Sequence, residues 1–206
     1  MARKPAERRP AAGPRRDAPA PSWELACTRE ADLSADLGRE ILLLQQAAFP
    51  HTEDFRRQRW HHTPPAGEDL WFTARSPRGL LAGVRVVHRR IGTAAGPRDV
   101  AGVANVCSHP QARGLGAAKA CLLAAQEHIA RDCDFGMLFC RQPVREYYEA
   151  LGWRVADNAV PQAGVLPASE RRDTDGRGKR HVMVFPGQRP LDAWPPGAID
   201  LNGPDW

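Results

Sequence analysis

The stretch VCSHPQARGLGAAKACLLAAQ, Val106 to Gln126, decides how the chain is read. An apolar run ends at His109-Pro110. Two glycines follow, Gly114 and Gly116, and then a small-residue, leucine-bearing segment with helical spacing. Glycine has no Cβ and lets a ligand approach the backbone closely. A helix start leaves N–H groups without partners and carries partial positive charge. A glycine turn into a helix start is therefore a cradle for an anion. The plainer reading, a tight turn with positive φ, needs only one glycine.

Working outward, strand-like runs and helical runs alternate. WELACTRE (23–30) reads as a strand, and Ala31–Ala48 as a helix capped by Asp32 or Ser34. Thr52–Trp60 reads as a second short helix with acids in its first turn. LWFTAR and LLAGVRVVHRR (70–75 and 80–90) are strands joined by the turn SPRG, and 99–108 is a third strand. After the helix 115–131 come a strand (135–140), a short helix opened by Pro143 and stopped by Gly152, and a strand (153–160). Residues 161–179 form a loop, 180–185 a last strand, and 186–206 a turn-rich end. The order implies an α/β fold with a mixed sheet. Strand, helix and strand between 99 and 140 form a βαβ unit, so those two strands are expected to be parallel.

Length and composition set outer bounds. At 206 residues one domain is expected, Ser22–Trp206, behind a basic, proline-rich, disordered tail over 1–21. That tail holds six basic and two acidic residues, a net of +4 in a chain of +5, so the rest is nearly neutral. The tail lacks aromatic residues to stack on bases, and no nucleic-acid partner is expected. No apolar run is long enough to span a membrane, and residues 1–21 hold no secretory signal. The five cysteines form no CxxC pair, which fits free thiols in a reducing cytoplasm. The histidines show no metal-ligand spacing, and no metal is expected.

Two familiar nucleotide-binding fingerprints fit the glycine turn poorly. A P-loop requires Gly-Lys-Ser/Thr, absent here, and Gly114-Leu-Gly116-Ala-Ala-Lys119 lacks the third glycine of the dinucleotide fingerprint. QARGLG does match Q/R-x-x-G-x-G/A between a strand and a helix. In this it resembles the pyrophosphate loop of the GCN5-related N-acetyltransferase (GNAT) superfamily. YYEALGW (Tyr147–Trp153) is similar to that family's Y-E-x-x-G-F/W segment, and the element order agrees from about 22 to 185. The end, VMVFPGQRPLDAWPPGAIDLNGPDW, resembles that of the NodA-type nodulation N-acyltransferases. The aminoglycoside 2'-N-acetyltransferases share the layout.

The resemblance implies a GNAT fold: a mostly antiparallel sheet flanked by helices, with a V-shaped splay between its two central parallel strands. It implies acetyl-CoA, or another acyl-CoA, as co-substrate. Backbone N–H groups of Gln111, Ala112, Arg113, Gly114, Leu115 and Gly116 would hold the pyrophosphate, with Arg113 adding charge. The pantetheine arm would bond near Val106 and Ser108, and the Cys107 N–H would polarise the thioester carbonyl. Tyr148 takes the place of the general acid that protonates the leaving thiolate. Adjacent helical residues point about 100° apart, so Tyr147 and Tyr148 cannot both face the thiol. Many relatives carry a glutamate base on the strand before the loop. Here that strand offers only Asn105, so an acceptor amine of lowered pKa and a relaying water take the base's place, and His109 is structural. Glu53, Asp54, Asp205 and the Trp206 carboxylate are candidates for a cationic acceptor, although helix-start charge alone accounts for the first two.

The function implied is acetyl transfer to an amine on an amino sugar or aminoglycoside, by direct attack in a ternary complex. Two other readings stand beside it. One is a NodA-like enzyme moving a longer acyl chain onto a chitin-type oligosaccharide amine, with an acyl-CoA or acyl carrier protein as donor. The other is a non-catalytic acyl-CoA-binding module. The expected partner is a small-molecule amine rather than a membrane, and the chain is compatible with a homodimer.

Overall fold

The computed structural model describes residues 23–51, 68–165, 167 and 180–206. The basic tail, the helix expected over 52–60 and most of the 161–179 loop lie outside the described residues. Eight strands form one sheet in the order β1-β2-β3-β4-β5-β7-β6, with β8 pairing β3 off that path. They are β1 (Glu24–Arg29), β2 (Leu70–Ser76), β3 (Gly79–Thr93), β4 (Arg98–Ser108), β5 (Phe135–Arg141), β6 (Arg154–Ala156), β7 (Arg180–Pro186) and β8 (Ile199–Asp200). Every pairing is antiparallel except β4 with β5, the parallel pair expected of the βαβ unit. Among the described residues three helices pack on this sheet: α1 (Ala35–Ala48), α2 (Ala117–Asp132) and α3 (Gln142–Glu149).

Each face of the sheet is sealed by what its side chains allow. Helix α2 buries Ala117, Cys121, Leu122, Ala125 and Ile129. This helical stripe is mostly small, so the helix lies close against Val103, Leu138 and Met183. On the other face α1, capped by the Ser34 hydroxyl accepting from the Leu37 N–H, lays Ile41 and Leu44 against Trp71 and Cys107. The C-terminal segment covers the rest of that face with Trp194, Ile199, Leu201 and Trp206. The turn-rich end is more ordered than its composition suggests. Buried Asn158 donates to the Pro195 and Gly197 carbonyls and accepts from Trp194 Nε1, tying that end to the chain after β6. These bonds turn the backbone away from the sheet, and the strand expected over 153–160 pairs only at Arg154–Ala156.

One buried charge cluster braces the β2–β3 hairpin. Arg85 is 1% exposed and donates to Glu30 Oε2 and Asp69 Oδ2, each at 2.9 Å. Burial pushes the Asp69 carboxyl up, against the opposing pull of Arg85. Removing one member strands the others without a counter-charge. Arg85→Met is expected to lower the unfolding free energy by about 3–5 kcal/mol, read from the urea midpoint. A change within about 0.5 kcal/mol, the range of ordinary surface substitutions, would mean the cluster does not brace the fold.

Candidate active site

The parallel ladder between β4 and β5 runs from Val100↔Phe135 to Val103↔Leu138 and stops. Beyond it, among the described residues, β4 continues on β3 alone and β5 on β7 alone. The cause is a β-bulge. Gly83 pairs Cys107 and Arg85 pairs Ala104, so Asn105 and Val106 together oppose Val84. Asn105 adopts φ +51°, a left-handed conformation that asparagine tolerates better than most residues. A bulge bends its strand, and here it swings β4 away from β5. The resulting cleft of about 290 Å³ is lined by Asn105, Val106, Leu138, Phe139, Tyr148 and Trp206, among others. No aspartate or glutamate lines it among the described residues.

Strand parity decides which backbone groups face the cleft. The His109 N–H donates to the Leu81 carbonyl at 2.8 Å. Antiparallel alternation then turns the Cys107 N–H toward Gly83 as well, and leaves the N–H and C=O of Val106 and Ser108 on the open edge. This corrects the expectation for Cys107: its N–H belongs to the β3 ladder and does not point at the cleft. Its thiol is buried 3.7 Å from the Gly83 carbonyl, and burial pushes it up to about 12. Cys140 is buried as well, 3.2 Å from the Met183 sulfur.

The glycine turn follows at once. Pro110–Ala112 forms one 3-10 turn, capped by His109, whose Nδ1 accepts from the Gln111 N–H at 3.3 Å. Ala112, Arg113 and Leu115 donate to the carbonyls of His109, Pro110 and Ala112. The donors left over among the described residues are the N–H groups of Gly114, Gly116 and the first turn of α2. Both glycines have positive φ, +80° and +85°, and a Cβ on either would meet nothing within 4 Å. Arg113, Gly114, Leu115 and Gly116 are exposed, so the helix start is open. The free donors thus sit one step nearer the helix than the span 111–116 expected from the sequence.

Tyr148 lies on α3, which ends where Leu151 and Trp153 both donate to the Tyr148 carbonyl around Gly152. Trp153 is fully buried and its ring stands 6.3 Å from that of Tyr148. Tyr148 is half-buried and lines the cleft, whereas Tyr147 is 40% exposed, as the angular step between helical neighbours requires. Burial, with Cys140 and Tyr147 nearby, pushes the Tyr148 phenol above its usual range, so it stays protonated.

The acceptor candidates are placed unevenly. Glu53 and Asp54 lie outside the described residues. Asp205 is paired with Arg180 at 2.6 Å, so its charge is already matched. The Trp206 indole lines the cleft, tilted against Phe139 at 5.7 Å with Arg89 over its face at 5.2 Å. A Cβ at Gly102 would overlap that ring, so only glycine fits beneath it. Sequence reasoning missed the Asn105 bulge and the walls Leu138 and Phe139. An asparagine amid valines and alanines in a strand was the available signal.

Comparisons with known proteins agree with this geometry. The family profile of Nodulation protein A (NodA) matches residues 23–206. Among solved structures, Escherichia coli ElaA superposes with a TM-score of 0.58 at 15% identity, covering 80% of this chain and 99% of that one. An acyl-CoA N-acyltransferase from Pseudomonas aeruginosa gives 0.56 at 19%, with coverages of 80% and 99%. The GNAT family N-acetyltransferase YhbS from Escherichia coli, in complex with CoA, gives 0.55 at 14%, with 91% and 93%. A comparison with curated proteins gives no match. No helix among the described residues is long and apolar enough to cross a membrane. With 184 matched residues, a splayed parallel strand pair and an open glycine turn before α2, the chain belongs to the NodA family and has the fold of the GNAT N-acetyltransferases.

Proposed function

We propose that the chain transfers an acetyl group from acetyl-CoA to a primary amine on an amino sugar or aminoglycoside. The observation that carries this is the unpaired β4 edge at Val106 and Ser108, set between an open helix start and a protonated tyrosine. The diphosphate binds the N–H groups of Gly114, Gly116 and the first turn of α2. The pantetheine amides add to the β4 edge as a strand would. The Val106 N–H, in place of that of Cys107, donates to the thioester oxygen as negative charge develops on it. The amine nitrogen attacks the carbonyl carbon, the C–N bond forms and the C–S bond breaks. The thiolate takes a proton from Tyr148, and the proton lost by the amine passes to water, from which Tyr148 is reprotonated. Burial raises thiols as it raises the phenol, Cys107 and Cys121 both being pushed up to about 12.

The family match favours a second reading, in which a longer acyl chain is moved onto a chitin-type oligosaccharide amine. The Trp206 ring against Phe139 and Gly102 favours the short acyl group, because it fills part of the cleft wall. An amine panel tested with acetyl and long-chain acyl donors, read by thiol release and product mass, separates the readings. Acetyl transfer to an amino sugar is expected, with Trp206→Ala raising kcat/KM for long-chain donors relative to acetyl about tenfold. Turnover confined to long-chain donors assigns the second reading. Acetyl-CoA binding without turnover on any amine would assign a binding module.

A further inference from the structure

Toward the far end of α2, about 18 Å along the helix from Gly116 at the level of His128, a second cleft of about 550 Å³ opens beside the start of β4. His88 of β3, His128 in the last turn of α2 and Cys133 at its C-cap converge on it. The three potential ligand atoms all lie within 4.8 Å of one another. The two imidazole Nε2 atoms face each other at 2.8 Å. The other nitrogen of each ring meets an oxygen: His88 Nδ1 is 2.7 Å from the Glu68 carbonyl, and His128 Nδ1 is 2.8 Å from Asp132 Oδ2. A carbonyl or carboxylate only accepts, so the proton of each neutral ring belongs on Nδ1. Arg131 Nη2 also approaches His128 Nδ1, at 3.3 Å, but its guanidinium is directed at the Asp132 carboxylate at 2.8 Å. Two Nε2 lone pairs are thus aimed at each other across 2.8 Å, an arrangement that repels unless a cation stands between them.

We propose that His88, His128 and Cys133 form a zinc site, with its fourth position open to the cleft. Imidazole nitrogen and thiolate sulfur are the donors this borderline ion takes, and a tetrahedral ion requires N–N and N–S separations of about 3.3 and 3.6 Å. The 2.8 Å gap opens and the wider spacing closes by no more than a side-chain adjustment. Each imidazole already has the outer partner that fixes a metal-binding tautomer, a carboxylate for one and a backbone carbonyl for the other. The scaffold is fixed as well. The Cys133 N–H donates to the Ile129 carbonyl, its carbonyl accepts from Gln188, and the His88 N–H donates to Asp69 Oδ1. Charge at the cleft does not oppose an ion. Arg89 is directed at the Leu201 and Pro204 carbonyls and Arg90 reaches toward Asp99, while Glu68 and Asp132 remain at the rim. Binding displaces the thiol proton to solvent. Histidines forty positions apart form no motif, which is why the sequence shows no ligand spacing here.

The test uses the full chain, freed of metal by chelator and titrated with Co²⁺, then with Zn²⁺ as competitor. One equivalent of cobalt is expected, with tetrahedral d–d absorption and a thiolate-to-cobalt charge-transfer band that zinc abolishes. Cys133→Ser is expected to lose that band while circular dichroism stays unchanged, and His128→Ala to lose stoichiometric binding. X-ray absorption of the zinc-loaded wild-type chain, which requires no variant to fold, should show one sulfur and two imidazole nitrogens. Substoichiometric metal, a shell without sulfur, a charge-transfer band that survives Cys133→Ser, or a proton shared between the two rings in nitrogen NMR would each overturn the site.

Discussion

Replacing Tyr148 with phenylalanine is expected to lower kcat by about 10²–10⁴-fold while leaving acyl-CoA affinity nearly unchanged. The ring stays between Tyr147 and Trp153, so the cleft wall and the end of α3 are preserved. Only the proton for the departing sulfur is removed. The pH dependence adds a signature. Because burial raises the phenol above its ordinary value, the acid form persists through neutral and mildly alkaline pH. The wild-type kcat should therefore show no alkaline fall from Tyr148 up to about pH 10, the unperturbed phenol value. Steady-state kinetics with acetyl-CoA and a saturating amine measure both. Turnover in Tyr148→Phe within about twofold of wild type would take the hydroxyl out of the reaction.

Gly116→Trp is expected to abolish coenzyme A binding. The site is open in the protein, since a Cβ there meets nothing within 4 Å. The indole projects into the space where the diphosphate would lie. The φ of +85° costs a non-glycine residue about 1–2 kcal/mol, a loss the fold tolerates. Calorimetric titration should show at least a hundredfold weaker binding, alongside a thermal midpoint within several degrees of wild type. The two readouts separate a blocked cradle from an unfolded chain. Retained affinity in a folded Gly116→Trp protein would place the diphosphate elsewhere.

The parts of the fold that the sequence made legible are those specified locally. The strand, glycine turn and helix at 99–132 carry their own signals, and the parallel partnership of β4 with β5 follows from chain handedness alone. The α3 segment was legible for the same reason: Pro143 opens it and Gly152 closes it. What stayed hidden depends on pairing across the sheet. The splay rests on a bulge at Asn105, which exists only relative to Val84 on the neighbouring strand. The direction of the Cys107 N–H depends on register parity, fixed by the bond from His109 to Leu81, and no periodicity within β4 reveals it. β8 at Ile199–Asp200 pairs with Gly92–Thr93, more than a hundred residues away, amid prolines and glycines that locally read as turns.

A crystal structure of the full chain with acetyl-CoA tests most directly whether the opened strand pair is the donor site. The diphosphate should lie on the N–H groups of Gly114, Gly116 and the first turn of α2, the pantetheine along Val106–Ser108, and the thioester oxygen at the Val106 N–H with its sulfur beside Tyr148. Acetyl-CoA bound anywhere else, with the gap between β4 and β5 left empty, would contradict the account.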